Sequence, residues 1–592
     1  MSHTFHIPVL GLGYSIDTPL KVARYGISSV VSIVDDELVE RMRAFHSQDK
    51  ACFEPIKRSE YDHRAKRITA YLNLLDELIS RQHNEMADQP FLPGQEITKY
   101  FELLPDDSQE RILYKRMLSE TQKDIRLEFE KMLRQSLKKG AVDVNIMAKV
   151  DKANYDKQGN PCDDNFSDAL ASLRGFANSR LSSSVILSAG INPRLYSYME
   201  EFKDFFPQEE HPATKKIILK VSDFRSAFIQ AKFLAKKGLW VHEFRIESGL
   251  NCGGHAFATD GYLLGPILEE FKEKRLAMIG ELYEIYQSGL LSKSIQSAIL
   301  PNTRITVQGG IGTAEEDKFI REYYQLDGTG WGSPFLLVPE VTNVDNETLH
   351  QLANSEEDDF YVSSASPLGI PFNNFKKSSA EKLRLERIAK GRPGSPCTKK
   401  FLVSNTEFTE KPICTSSREY QRLKIHELEL KQLPATEHDL RFKEITEKVC
   451  LCEGLCSSAY IKNSMLKPRE THAVTICPGP NTAYFKSIYS LEEMAKHIYG
   501  KINLIENIKR PNMFLKELGI YVSYLQKDIE ANVSTITSKK VKQLQRFKEE
   551  LLSGIDYYLQ LIQKMPSPEI TEADLNKWIL SLTRIEIPAI PQ

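Results

Sequence analysis

Four glycine-rich segments and one run of cysteines carry the residue types that do chemistry in this chain. Val9 to Gly13 reads VLGLG, and small residues at a strand end let a flat ligand approach the backbone. Glu247 to Phe257 reads ESGLNCGGHAF. There Gly253 and Gly254 expose backbone N–H groups beside His255, a side chain able to give or take a proton near neutral pH. Cys252, next to them, is a candidate reactive thiol. Val307 to Thr313 reads VQGGIGT and opens a helix at about Ala314. Backbone amides at Gly309 and Gly310, with a helix N-terminus behind them, suit a phosphate. Gly328 to Phe335 reads GTGWGSPF, where Gly332 and Ser333 add amide and hydroxyl donors. Taken singly, each of these is also a plain tight turn, and the lone histidine a hydrogen-bonded structural residue.

Six of the nine cysteines fall between residues 397 and 477. The stretch VCLCEGLC followed by TICPGP places Cys450, Cys452 and Cys456 on one short segment and returns Cys477 before a Pro-Gly-Pro turn. Four thiolates so arranged are expected to hold an iron–sulfur cluster, or zinc, the alternative being unligated thiols.

These segments need strands to carry them. Short apolar runs alternate with helical spacing: residues 6–13 and SSVVSIV (28–34), then AVDVNIMAKV, SSVILSAG, KKIILKVS, WVHEFRIESG, RITVQGGIG and DGTGWGSPFLLV, with FYVSSAS near 360. About eight strands joined by helices predict a parallel sheet closed as a TIM (β/α)8 barrel, α/β in class; a doubly wound open sheet is the alternative. All four glycine segments then lie at strand C-termini, where barrel active sites sit, and the two late ones match the phosphate site after strands 7 and 8. Residues 36–140 have amphipathic helical spacing and read as a helical insertion. The expected organisation is a barrel from 1–35 and 141–375, an irregular cysteine-rich segment from 376–482, and a C-terminal helical region from 483–592 with a loosely held tail.

Lys and Arg number 78 against 80 Asp and Glu, a net charge of −2 that argues against a nucleic-acid binder. No apolar run is long enough to span a membrane and the N-terminus lacks a signal-peptide pattern, so a cytoplasmic location is expected.

IPVLGLGYSIDTPLKVARYGISSVVSI, VDVNIM, ESGLNCGGH, VQGGIGTAEE, DGTGWGSPFLL and SPLGIPFNNF together resemble the nitronate monooxygenase (2-nitropropane dioxygenase) family, which includes FMN-dependent enoyl reductases. The resemblance covers about residues 5–35 and 141–380. It departs from the family at the first strand, where Leu-Gly replaces a Pro-Met pair, and in the insertion and the long C-terminal extension. It implies an oxidoreductase, a flavoprotein binding FMN through Gly11, Asn145, Lys220, Gly253, Gly254, Gly309, Gly310, Gly332 and Ser333. It implies His255 as general acid/base and Lys220 as positive charge beside the flavin ring. The expected reaction is hydride transfer to an activated C=C bond of a small or carrier-tethered substrate, with reducing equivalents from NAD(P)H or an electron-donor protein. Oxidation of nitronates with O2 is the rival reaction. A non-catalytic scaffold is the rival of another class.

Overall fold

A computed structural model describes the chain except residues 1, 48–52, 147–150, 155–159, 189, 209–210, 254–260, 298, 533–535, 566–569 and 589–592. Eight parallel strands close into a barrel: β1 Phe5–Ile7, β2 Ser28–Ser32, β3 Val142–Ile146, β4 Ser183–Leu187, β5 Lys215–Val221, β6 Val241–Glu247, β7 Arg304–Gln308 and β8 Gly328–Gly330. Strand β1 pairs with β2 through His6↔Ser28 and closes the ring on β8 through His6↔Gly330. This is the (β/α)8 barrel that the alternating pattern predicts. The β-branched runs VVS, VIL and KIILKV are buried because helices cover the barrel outside and side chains fill it inside.

Two layers fill the barrel differently. Val30, Ile186 and Ile218 form an apolar layer with Val9 against it. Elsewhere in the interior Arg245 donates to Glu243 at 2.8 Å and Asp143 at 3.2 Å. Thr306 donates to Glu243 at 2.6 Å. His6, held down to about 3 by burial and by Arg245, is neutral there.

Three expectations change. The eighth strand is shorter than DGTGWGSPFLLV: it stops at Gly330, and Ser333–Leu337 turns into a 3-10 helix with Pro334 in its first turn. FYVS is not a barrel strand. Phe360–Ser363 (β9) pairs antiparallel with Phe372–Phe375 (β10) in a separate two-stranded sheet. The segment 376–482 is not irregular throughout, since it holds helices at Ser379–Ala389, Arg418–Leu430, Ala435–Thr446 and Leu451–Lys462. Ser378 and Ser417 cap the first two by accepting from the N–H three residues on.

Residues 36–140 are helical as expected, with helices Asp36–His46, His63–Ala87, Glu96–Glu102, Gln109–Ser119 and Lys123–Ser136 between β2 and β3. The C-terminal helices Met513–Asn532 and Ser538–Leu561 join the same apolar core through Leu518, Tyr521, Leu525, Leu551, Ile555 and Tyr558. Within the tail, Glu572–Arg584 is a helix with a Thr571/Asp574 capping box and with Leu575 and Leu582 buried, while residues 566–569 and 589–592 lie outside the described residues. Among the described residues, no helix is long and apolar enough to cross a membrane.

Candidate active site

One cavity, about 130 Å³ and open to solvent, sits at the C-terminal mouth of the barrel. Its floor comes from the strand ends: Val9 and Gly11 after β1, Ser32 and Val34 from β2, Asn145 from β3, Ser188 after β4, Lys220 from β5, and Glu247 and Gly253 from β6 and the loop after it. Four of the residues singled out from sequence, Gly11, Asn145, Lys220 and Gly253, therefore meet at one place. They are far apart in the chain and converge because parallel strands end on the same rim. The outer wall is apolar: Leu368, Ile370, Phe401, Leu402, Leu451, Cys452 and Leu455.

Glu247 organises the floor. Its Oε1 accepts from Lys220 Nζ at 3.0 Å, Asn251 Nδ2 at 2.6 Å and Gln308 Nε2 at 2.7 Å. The carboxylate is buried and the lysine nearly so, so the positive charge expected beside a ring at Lys220 is balanced by its partner. Asn145 Nδ2 donates to Ser32 Oγ at 3.2 Å. Among the described residues, Ser188 Oγ is buried at this rim without a partner, so it is available to a ligand. The sequence reading missed Ser188, Gln308 and the structural part of Glu247. A polar side chain at a strand end was the only signal available for them.

Gly253 has φ +66° and its N–H donates to the Cys477 carbonyl at 2.9 Å. A Cβ there would run into the Val9 carbonyl, so only glycine lets the loops after β1 and β6 touch. Gly254 and His255 lie outside the described residues.

The two late glycine turns are brought together, against the same loop, 248–253. Among the described residues, no hydrogen bond takes the N–H of Gly309, Gly310, Gly332 or Ser333, which leaves four donors at these turns. The place beside them is filled by protein, however. A Cβ on Gly310 would meet Leu250, one on Gly332 would meet the Cys252 sulfur, and Gly479 lies against Ser333. None of the four residues lines the cavity. The polar, small-residue floor fits a planar ring; a phosphate at the glycine turns requires Leu250 and Cys252 to move away from them. Cys252 is not set up as a reactive thiol, because burial pushes its ionisation up and it is 1% exposed.

The loop is held from outside the barrel. Glu517 accepts from Ser248 Oγ at 2.7 Å and from the Leu264 N–H at 2.8 Å, so one buried carboxylate ties both sides of the segment between them. Burial raises it from 4.5 to about 7. A carboxyl raised in the fold stabilises it below the unfolded value, and that stability is lost as pH rises from 4.5 through 7. The Glu517→Gln variant is therefore expected to lose less stability than the unaltered chain between those values, by on the order of 3 kcal/mol. Melting temperatures measured across that range check this, and parallel curves for the two proteins would remove the assignment.

The cysteine expectation does not hold as drawn. Cys450 precedes the helix Leu451–Lys462 without a side-chain capping bond, Cys452 lines the cavity, and Cys456 donates to Asp35 Oδ2 at 3.3 Å. Asp35 also pairs with Lys399. Cys450, Cys452 and Cys477 lie in a different apolar cluster from Cys456. Cys450 and Cys452 stay together at the start of the helix and Cys456 is turned to other surroundings, where the sequence reading took all three as one tight loop. Among the described residues, no three His, Cys, Asp or Glu side chains are placed to hold a metal ion.

No protein-family model matches the chain, and no curated protein does. Among solved structures it is similar to the enoyl reductase domain of MlnA from the macrolactin biosynthesis cluster of Bacillus amyloliquefaciens. That similarity has 12% identity and a TM-score of 0.33, covering 67% of this chain and 86% of that one.

Proposed function

We propose that this chain is an FMN-dependent oxidoreductase that reduces an activated C=C bond. The observation that carries the reading is the convergence of Gly11, Asn145, Lys220 and Gly253 on one cavity at the barrel mouth. A bound FMN would supply two-electron hydride chemistry there. Gly11 and Gly253 line the floor, and Asn145, Ser188 and Lys220 offer polar groups to the edge of the ring. Donors at Gly309, Gly310, Gly332 and Ser333 would take the phosphate once Leu250 and Cys252 have moved aside. Glu247 holds Lys220, Asn251 and Gln308 in place. His255, two residues beyond Gly253, delivers the proton. The apolar outer wall of Leu368, Ile370, Phe401 and Leu402 suits a bulky acyl chain better than a small nitronate anion.

The test is an absorption spectrum of freshly purified full-length protein, followed by addition of FMN to any colourless fraction. Flavin bands, native or regained, are expected. A colourless protein that takes up no FMN would end the reading. Reduced protein mixed with an enoyl thioester or with O2 then separates reductase from monooxygenase. Faster reoxidation by the thioester is expected.

A further inference from the structure

Cys397, Cys414, Cys450, Cys452 and Cys477 gather in one small apolar cluster with Ala365, Phe372, Leu402, Val449 and Leu451. Within it, Cys397 and Cys414 come from a segment folded back on itself. Backbone bridges join Ser395 to Ser417 and Asn405 to Ile413, so the chain leaves and returns beside itself. The Cys397 thiol hydrogen-bonds Cys414, and Ser416 Oγ lies 3.2 Å from the Cys414 sulfur. Cys414 is buried and Cys397 only partly so. The other pair in contact, Cys450 and Cys452, is two residues apart at the start of a helix, and joining it would unwind the first turn.

We propose that Cys397 and Cys414 are a thiol-oxidation site, closing to one intramolecular disulfide by exchange with a small disulfide of the glutathione class. The hydrogen bond from Cys397 holds Cys414 down to about 6, so the pair shares one proton at neutral pH. In the minor form that carries the shared proton on Cys414, the more exposed Cys397 thiolate attacks one sulfur of the small disulfide and releases one small thiolate. The Cys414 thiol then loses its proton, its sulfur attacks the Cys397 sulfur of the mixed disulfide, and the second small thiol leaves. Two protein thiols have lost two electrons and two protons, and one small disulfide has become two thiols. The loop between the cysteines carries Phe401 and Leu402, which wall the barrel-mouth cavity, so the bond fixes that wall. Only this last consequence rests on the proposed function.

The experiment equilibrates the full-length protein with oxidised and reduced glutathione and reads intact mass and peptide maps. Loss of two hydrogens per chain is expected, with a peptide joining residues 397 and 414 that dithiothreitol separates. The link should vanish in Cys414→Ser and in Cys397→Ser and persist in Cys450→Ser. An unchanged mass, glutathione remaining on the chain, a link between other cysteines, or stoichiometric zinc or iron released on thiol titration would overturn the proposal. The peptide map of the unaltered chain decides the matter even where a serine variant fails to fold. A 397–414 link in a protein that takes up no FMN keeps the oxidation site and removes the flavin reading.

Discussion

On the proposed function, replacing His255 with alanine is expected to lower turnover of an enoyl thioester by about 10²–10⁴ while bound flavin stays at the level of the unaltered chain. The expectation comes from where strand β6 ends. Glu247 is fixed by three donors at the rim, and the chain then passes through Ser248, tied to Glu517, to Gly253, tied to the Cys477 carbonyl. Each of these contacts is made by residues other than His255. A proton donor contributes to the reaction and not to holding the ring, which is why rate and cofactor content should separate. Steady-state turnover alongside flavin absorbance per chain measures both. Unchanged turnover would take His255 out of the mechanism, and loss of flavin would make it a binding residue instead.

The Arg245→Met variant is expected to cost about 3–5 kcal/mol of folding stability at neutral pH. Arg245 is 2% exposed and is the cation between Glu243 and Asp143 inside the barrel. Methionine keeps much of the volume and removes the charge, leaving two buried carboxylates facing each other. Arg245 and Arg304 hold Glu243 down to about 2, from 4.5. A carboxyl lowered in the fold contributes stability above its unfolded value, and that contribution disappears as pH falls from 4.5 towards 2. The penalty of the variant should therefore be largest near neutrality and shrink in acid, as the stranded carboxylates take up protons. Urea unfolding midpoints at two pH values measure this. A variant within about 1 kcal/mol of the unaltered chain at neutrality would show that the network is not needed for stability.

The barrel was legible in the chain because its strands announce themselves. Val30–Val31, Val185–Leu187 and Ile217–Leu219 are continuous apolar runs, which a sheet covered on both sides requires, and each strand is followed by a helical spacing of the right length. Helix ends were readable for the same local reason, as at Gly238, which adopts φ +70° behind the helix Phe224–Lys236. Glycine at strand ends was likewise readable, since the rim of a barrel is where backbone must come close to something.

What the chain could not disclose is what fills the space between elements. FYVS has the residues of a barrel strand, and only its antiparallel partner FNNF removes it from the ring. Cys450, Cys452 and Cys456 are close in the chain, but the helix turns Cys456 away from the other two, a periodicity that cysteine spacing alone does not reveal. Leu250 and Cys252 against Gly310 and Gly332, and Phe401 and Leu402 over the mouth, are contacts between segments from about 60 to about 390 positions apart, set by packing and by no local preference. Backbone conformation and burial on one element are decided by neighbours in sequence, so sequence determined them; the shape of a cavity is decided by side chains that meet only once the chain has closed, so the tertiary structure alone decided it.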